Sequence, residues 1–299
     1  AQDLFFDLLK ERAETGRIYI MNLDHCNSHS SFKDKVSMSN LCQEITLPTT
    51  PIQDIHDEQG EIALCILSAV NVGALNDLSE LENICDLSVR ALEQIIDYQD
   101  YPVKAAEVST KKRRSLGIGY IGLAHYLAKN GVKYSDPKAW ELVDRLSEAF
   151  QYHLLRASCD IAIEKGKCEG FERTKYADGL LPIDHYKKDV DEIVPHKQRM
   201  AWESLRKDIA KHGLRHSTLS AQMPSESSSV VSNETNGIEP PRALLSIKKS
   251  KKGPLKQIAP GFPKLKNDYT LLWEMPDNTG YINVAVSYTH LTLPTMLWV

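Results

Sequence analysis

Asn40, Cys42 and Glu44 stand at alternate positions in Ser39-Asn-Leu-Cys-Gln-Glu-Ile45, just ahead of an apolar run. In an extended chain alternate side chains share a face. An amide, a thiol and a carboxylate can then converge on one small ligand, with the thiol flanked by a hydrogen-bonding group and a base. The plainer alternative is a loop with a buried cysteine between two solvated polar residues. A second cysteine, Cys65, lies inside the nearly continuous apolar run 61–72, as in a strand covered on both faces. A third group, Pro224-Ser-Glu-Ser-Ser-Ser229, follows a strand-like run and precedes Val230-Val231. A hydroxyl-rich turn that opens into a helix offers side-chain donors and free backbone N–H groups to an anion. Its alternative is a flexible serine loop.

The elements that position these groups follow from periodicity and punctuation. Residues 18–23 and 61–72 read as strands. Asp77 and Glu80 form a capping-box start, and Leu81, Ile84, Cys85, Leu92, Ile95 and Ile96 recur at helical spacing until Tyr101-Pro102. Asp136-Pro137 sets off a long helix through Trp140, Leu146, Phe150 and Ile161 to a stop at Gly166. Cys85 reads as core, and Cys159 and Cys168 as structural or incidental thiols. A helix around Trp202, Leu205 and Ile209 ends at Gly213, and 214–223 reads as a strand. The alternation predicts an α/β architecture with a buried parallel sheet. Gly117-Ile-Gly-Tyr-Ile-Gly122 matches a dinucleotide-binding fingerprint, but the basic stretch Thr110-Lys-Lys-Arg-Arg114 stands where a strand is needed. Close helix packing is the expected reason for these glycines.

Taken in order, Asn40-Leu-Cys-x-Glu44, Gly60-Glu-Ile-Ala-Leu-Cys65 and Pro224-Ser-Glu-Ser-Ser228 resemble the large, catalytic subunit of a class I ribonucleotide reductase. The similarity is colinear from about residue 3 to about residue 283. It takes in Arg17-Ile-Tyr-Ile20, Leu116-Gly-Ile-Gly119, Asn236-Gly-Ile-Glu-Pro-Pro-Arg242 and Leu272-Trp-Glu-Met275. The resemblance implies part of a ten-stranded α/β barrel built from two halves, with the Cys42 segment as its central finger loop. It implies reduction of ribonucleoside diphosphates to 2′-deoxyribonucleoside diphosphates by thiyl-radical chemistry. Removing a 2′-hydroxyl, a poor leaving group, requires prior hydrogen-atom abstraction at C3′, which a cysteine sulfur radical can perform. By resemblance Cys42 is that radical carrier, Glu44 takes the 3′-hydroxyl proton and Asn40 hydrogen-bonds the sugar. Cys65 is one of a pair that closes to a disulfide in each turnover, its partner lying upstream of Ala1. Ser225, Glu226, Ser227 and Ser228 hold the substrate diphosphate, Ser227 standing where many members carry threonine.

The same resemblance implies a radical supplied by a diiron-tyrosyl small subunit, with no cofactor or metal bound by this chain. It also implies a homodimer of large subunits, reduction by thioredoxin or glutaredoxin, and ATP and dNTP effectors bound in regions this chain lacks. Rival readings are a non-catalytic nucleotide-binding or assembly module that keeps the barrel's later strands, and an anaerobic or cobalamin-dependent reductase, which also uses a thiyl loop.

At 299 residues with 42% hydrophobic content, the chain can bury a full core. Residues 1–286 are expected to be a partial barrel domain, opening on a helix already under way (Leu4, Phe5, Leu8, Leu9), and 287–299 a non-native tail. Its 36 basic and 40 acidic residues give a net charge of −4, which argues against a nucleic-acid surface. The basic stretches 111–114 and 248–253 read as surface, the second as a solvated hairpin or loop. Six irregularly spaced cysteines, without a signal peptide or long apolar span, fit a reducing cytoplasm and no membrane association. His25-Cys-Asn-Ser-His29 reads as a polar turn, since zinc would need a second ligand pair at a usual spacing.

Overall fold

The computed structural model describes residues 1–250 and 253–289. The N-terminal periodicity forms α1 (Gln2–Thr15), which Gly16 closes in the left-handed region at φ 64. Residues 18–22 have no strand pairing, because an extended segment becomes a strand only beside a partner that its own sequence cannot supply. The His25–His29 stretch is likewise not a turn. It belongs to a short helix, α2 (Leu23–His29), with Cys26 buried.

The apolar run 61–72 yields a shorter strand, β1 (Ile66–Asn71). Helix α3 (Glu80–Tyr98) begins where Glu80 Oε1 accepts the N–H groups of Asn76 and Asp77 at 3.1 and 3.2 Å, and it ends just before Tyr101-Pro102. Next come α4 (Lys104–Arg113), β2 (Leu116–Ile121) and α5 (Leu123–Lys129). The longest helix, α6 (Pro137–Lys165), starts as its sequence predicts. Asp136 accepts the Lys138 N–H at 2.9 Å, Pro137 occupies the first turn, and Gly166 ends it at φ 87. A short α7 (Pro182–His185) and α8 (Trp202–His212) follow, α8 packing on α6.

Strands β1 and β2 pair in parallel from Ile66↔Leu116 to Asn71↔Ile121. The segment 214–223 is not a regular strand, yet it runs along the other edge of β2. Leu116 and Ile118 donate to Thr218 and Leu219 carbonyls at 3.0 and 2.8 Å, and one parallel bridge joins Ile118 to Ser220. Beyond that point the Gln222 side chain replaces the ladder, accepting from Tyr120 N–H at 3.2 Å and donating to Tyr120 C=O at 2.9 Å. Helices α3 and α6 pack on each other, and α3 covers β1 and β2. Leu81, Leu116, Ile118, Leu146, Phe150, Leu154 and the thiols of Cys85 and Cys159 are fully buried in this core.

The serine turn leads into α9 (Glu226–Val231). The lysine-rich stretch lies on an antiparallel hairpin of β3 (Leu245–Ser250) and β4 (Gly253–Ile258), whose tip falls outside the described residues. Helix α10 (Thr279–Thr289) packs on α6. It carries Tyr288, from the expected tail, into the core against Tyr120, with ring centroids 6.4 Å apart. The rest of that tail, 290–299, lies outside the described residues.

The architecture is thus α/β, with β1, β2 and the segment 214–223 side by side in parallel and no closed barrel among the described residues. Two further expectations change. Arg113 and Arg114 are not surface residues: they are 2% and 4% exposed, each between carboxylates. Gly117 and Gly119 lie on β2 itself, and what crowds them is Cys65, Leu67 and residues 221–223 on the flanking segments rather than a helix.

Candidate active site

The Cys42 segment is a turn and not an extended strand. Gln43 N–H donates to Asn40 C=O at 3.1 Å, and Gln43 sits in the left-handed region at φ 60. The turn breaks the alternation that would put all three side chains on one face. Asn40 Oδ1 is occupied within the loop, accepting from Ile45 N–H at 3.0 Å, while Ser39 Oγ donates to Ile45 C=O at 2.8 Å. Cys42 is the exposed one of the six cysteines. Glu44 turns inward, 3% exposed, and its Oε2 is buried without a hydrogen-bond partner. A buried, unsatisfied carboxylate oxygen is costly and calls for an explanation.

Cys65, just before β1, is half-buried. Burial pushes its thiol well above the usual range, and the nearby Glu44 carboxylate pushes it further. It is therefore a protonated thiol at neutral pH, unlike a nucleophilic cysteine. Glycine at 117 leaves it room, because a Cβ there would stand 2.7 Å from Cys65 Sγ and 2.6 Å from Leu67 Cδ2. The structure thus brings Glu44 and Cys65 together, whereas Cys42 and Asn40 sit at the solvent-facing side of the turn.

The serine turn is reached along 214–223, the segment beside β2. A Cβ at Gly119 would lie 2.4 Å from Ala221 C=O and 3.1 Å from Met223 Sδ, so β2 and this segment approach too closely for a side chain at 119. Ser225 is buried and its N–H donates to Asn236 Oδ1 at 3.0 Å. Ser227 and Ser228 are exposed, and Ser228 Oγ reaches only the Ser225 carbonyl at 3.4 Å. Glu226 lines a cavity of about 530 Å³ together with Asn236, Glu239, Arg242 and Gln257. Burial and the neighbouring Glu226 raise the Glu239 carboxyl above its ordinary range. Among the described residues no group of three or more His, Cys, Asp or Glu could hold a metal, and no helix is long and apolar enough to cross a membrane.

Several residues that shape this region carried no site role in the sequence, Gly117 reading as a helix-packing glycine and Arg113 as surface. Gly117, Gln222, Asn236 and Arg113 all act on partners remote in the chain. Gly117 and Asn236 lie in motifs of the colinear resemblance, which does not state what they touch, and Gln222 carried no signal.

The family described as ribonucleotide reductase, barrel domain, matches residues 1–292. Ribonucleoside-diphosphate reductase subunit alpha of Buchnera aphidicola subsp. Baizongia pistaciae is 58% identical over 288 residues, covering 95% of this chain and 38% of the relative. Ribonucleoside-diphosphate reductase 1 subunit alpha of Escherichia coli K12 is 55% identical over the same shares. The subunit alpha of enterobacteria phage T4 is 42% identical, over 92% of this chain and 36% of the relative. The chain therefore spans less than two-fifths of the length of these curated relatives.

Proposed function

The chain belongs to the ribonucleotide reductase barrel-domain family, and we propose that it is the part of a class I ribonucleoside-diphosphate reductase large subunit that carries the radical loop, one redox cysteine and the diphosphate turn. Residues 1–286 form this part of a ten-stranded barrel, with Asn40–Glu44 as its finger loop. The observation that carries the reading is the buried Glu44 carboxylate, with one oxygen lacking a hydrogen-bond partner, beside the protonated Cys65 thiol. A substrate hydroxyl between them would satisfy that oxygen.

In this reading a ribonucleoside diphosphate lies with its phosphates on Ser225, Glu226, Ser227 and Ser228 and its sugar toward Glu44. Cys42 as a thiyl radical abstracts the C3′ hydrogen, Glu44 takes the 3′-hydroxyl proton, and Asn40 hydrogen-bonds the sugar. The 2′-hydroxyl then leaves as water. Cys65 and a second cysteine elsewhere in the subunit supply two electrons and two hydrogens and become a disulfide. The raised thiol of Cys65 suits this role, since hydrogens must arrive with the electrons. A diiron-tyrosyl small subunit would supply the radical. Thioredoxin or glutaredoxin would reload the disulfide, and ATP and dNTPs would act on other parts of a homodimeric, cytoplasmic enzyme.

Replacing Cys42 by Ser in the complete subunit is expected to abolish deoxynucleotide formation while substrate still binds; turnover by that variant would refute the assignment. Cys65→Ser should allow at most one abortive event per active site. Steady dithiol-driven turnover would show that Cys65 is not the reductant.

A further inference from the structure

Two carboxylates flank the candidate segments in sequence and meet at one buried cation. Asp34 precedes the Cys42 turn and Glu61 precedes Cys65. Arg113, at the C-terminus of α4, donates from Nη1 to Asp34 Oδ2 at 2.9 Å and from Nε to Glu61 Oε2 at 2.6 Å. The remaining oxygens of both acids are also engaged: Arg173 donates to Asp34 Oδ1 at 2.7 Å and Lys112 to Glu61 Oε1 at 2.9 Å. The guanidinium carbon lies 5.9 Å from the Phe32 ring centroid. All four carboxylate oxygens thus have a cationic donor, and a network satisfied in this way is more rigid than one left partly unpaired.

Backbone hydrogen bonds of Glu61 and of Arg113 extend the network to two further segments. Glu61 exchanges hydrogen bonds with Thr50, on the chain returning from the Cys42 turn, at 3.0 and 3.1 Å. The carbonyl of Arg113 accepts from Ser217 N–H at 3.0 Å, at the start of the segment that ends in the serine turn. Three stretches with no local reason to keep one spacing are thus tied to a single side chain and its own backbone. A planar fork can hold two divergent acceptors at fixed angles, which a lysine ammonium on a flexible stem cannot.

We propose that Arg113 is a positioning residue for the reaction, setting the Cys42 loop, the Cys65 strand and the serine-turn segment relative to one another. The role rests on the function proposed above. It differs from plain stabilisation because displacement of these segments by about 1 Å can cost about 100-fold in rate while the fold persists.

The test uses Arg113→Lys in the complete large subunit assayed with its small subunit. The expected result is a kcat lowered by about tenfold or more, with the dissociation constant for the nucleoside diphosphate and the circular dichroism close to wild type. An unchanged kcat per folded enzyme, or a loss that only tracks the unfolded fraction, would overturn the proposal. Should Arg113→Lys fail to fold, Arg173→Gln removes a single half-exposed arm of the network and is expected to lower kcat partially at unchanged melting temperature; no change would count against the proposal. Alkylation of Cys65 by iodoacetamide gives a readout without turnover, expected to quicken several-fold in the variant, and an equal rate would overturn the proposal. Failure of the wild-type enzyme to depend on Cys42 would instead refute the functional reading and leave the alkylation result to decide the positioning role.

Discussion

Gly117→Ala separates the effect of a methyl group on stability from its effect on the Cys65 thiol. The new Cβ would stand 2.6 Å from Leu67 Cδ2, 2.7 Å from Cys65 Sγ and 3.1 Å from Ala221 Cβ. Ordinary contacts between heavy atoms lie near 3.5–4.0 Å, so about 1 Å of clearance is missing on the sulfur side. Leu67 is 43% exposed and its branched end can swing toward solvent. Ala221 is fixed in the neighbouring segment, which leaves the Cys65 side chain as the group that moves. Overpacking of this kind costs about 1–3 kcal/mol, and replacing glycine at a compatible backbone position returns about 0.4–1 kcal/mol through the unfolded chain. The net loss of about 0–2.6 kcal/mol is small enough to leave the protein folded. Displacing the thiol by about 1 Å is expected to cut turnover about 100-fold. Steady-state deoxynucleotide formation with a dithiol reductant, together with mass-spectrometric mapping of the Cys65 disulfide, measures the loss directly. Turnover within about twofold of wild type in a folded Gly117→Ala enzyme would refute the reasoning, since it would mean that the sulfur position is not what Gly117 protects.

Two further outcomes follow from other parts of the structure. Glu93, 1% exposed, accepts from Arg114 Nε and Arg215 Nε at 2.8 Å each and from His216 Nε2 at 3.0 Å, and these partners overcome its burial and hold its carboxyl down to about 2 from the ordinary 4.5. That difference corresponds to about 3 kcal/mol. A carboxylate with a lowered folded-state pKa gives its full stabilisation above about pH 4.5 and loses it as pH falls toward about 2. Glu93→Gln should lose about 3–5 kcal/mol at neutral pH and flatten this acid limb. An acid-unfolding curve that superimposes on wild type would contradict the network's role. Asn236→Ala removes the acceptor of the Ser225 N–H at 3.0 Å and should raise the KM for nucleoside diphosphate about tenfold, roughly 1–2 kcal/mol, with a smaller change in kcat. An unchanged KM would place the substrate phosphates elsewhere.

What the sequence determined by itself is what depends on neighbours a few residues apart. The ends of α6 follow from Asp136-Pro137 and Gly166, and the start of α3 from Glu80, because caps act within one turn. The burial of Cys85 and Cys159 was legible in helical spacing. Cys42, Cys65 and the serine turn were found as chemistry-bearing groups, and their colinear order pointed to the family that the comparisons then identified. Only the tertiary structure decided which groups meet. Alternation predicted one face for Asn40, Cys42 and Glu44, but a turn at Gln43 sent Glu44 inward to Cys65 and left Cys42 exposed. The apolar residues at 18–22 formed no strand, since a ladder needs a partner that periodicity does not name. The basic stretch 111–114 looked solvated because its acids, Asp34, Glu61 and Glu93, are remote in the chain. The glycines of β2 resembled a nucleotide fingerprint, yet the space they leave is taken by Cys65 and the Ala221 backbone. Local signals fix conformation within a turn or two of chain, whereas charge pairing and close backbone approach depend on which distant segments the fold makes adjacent.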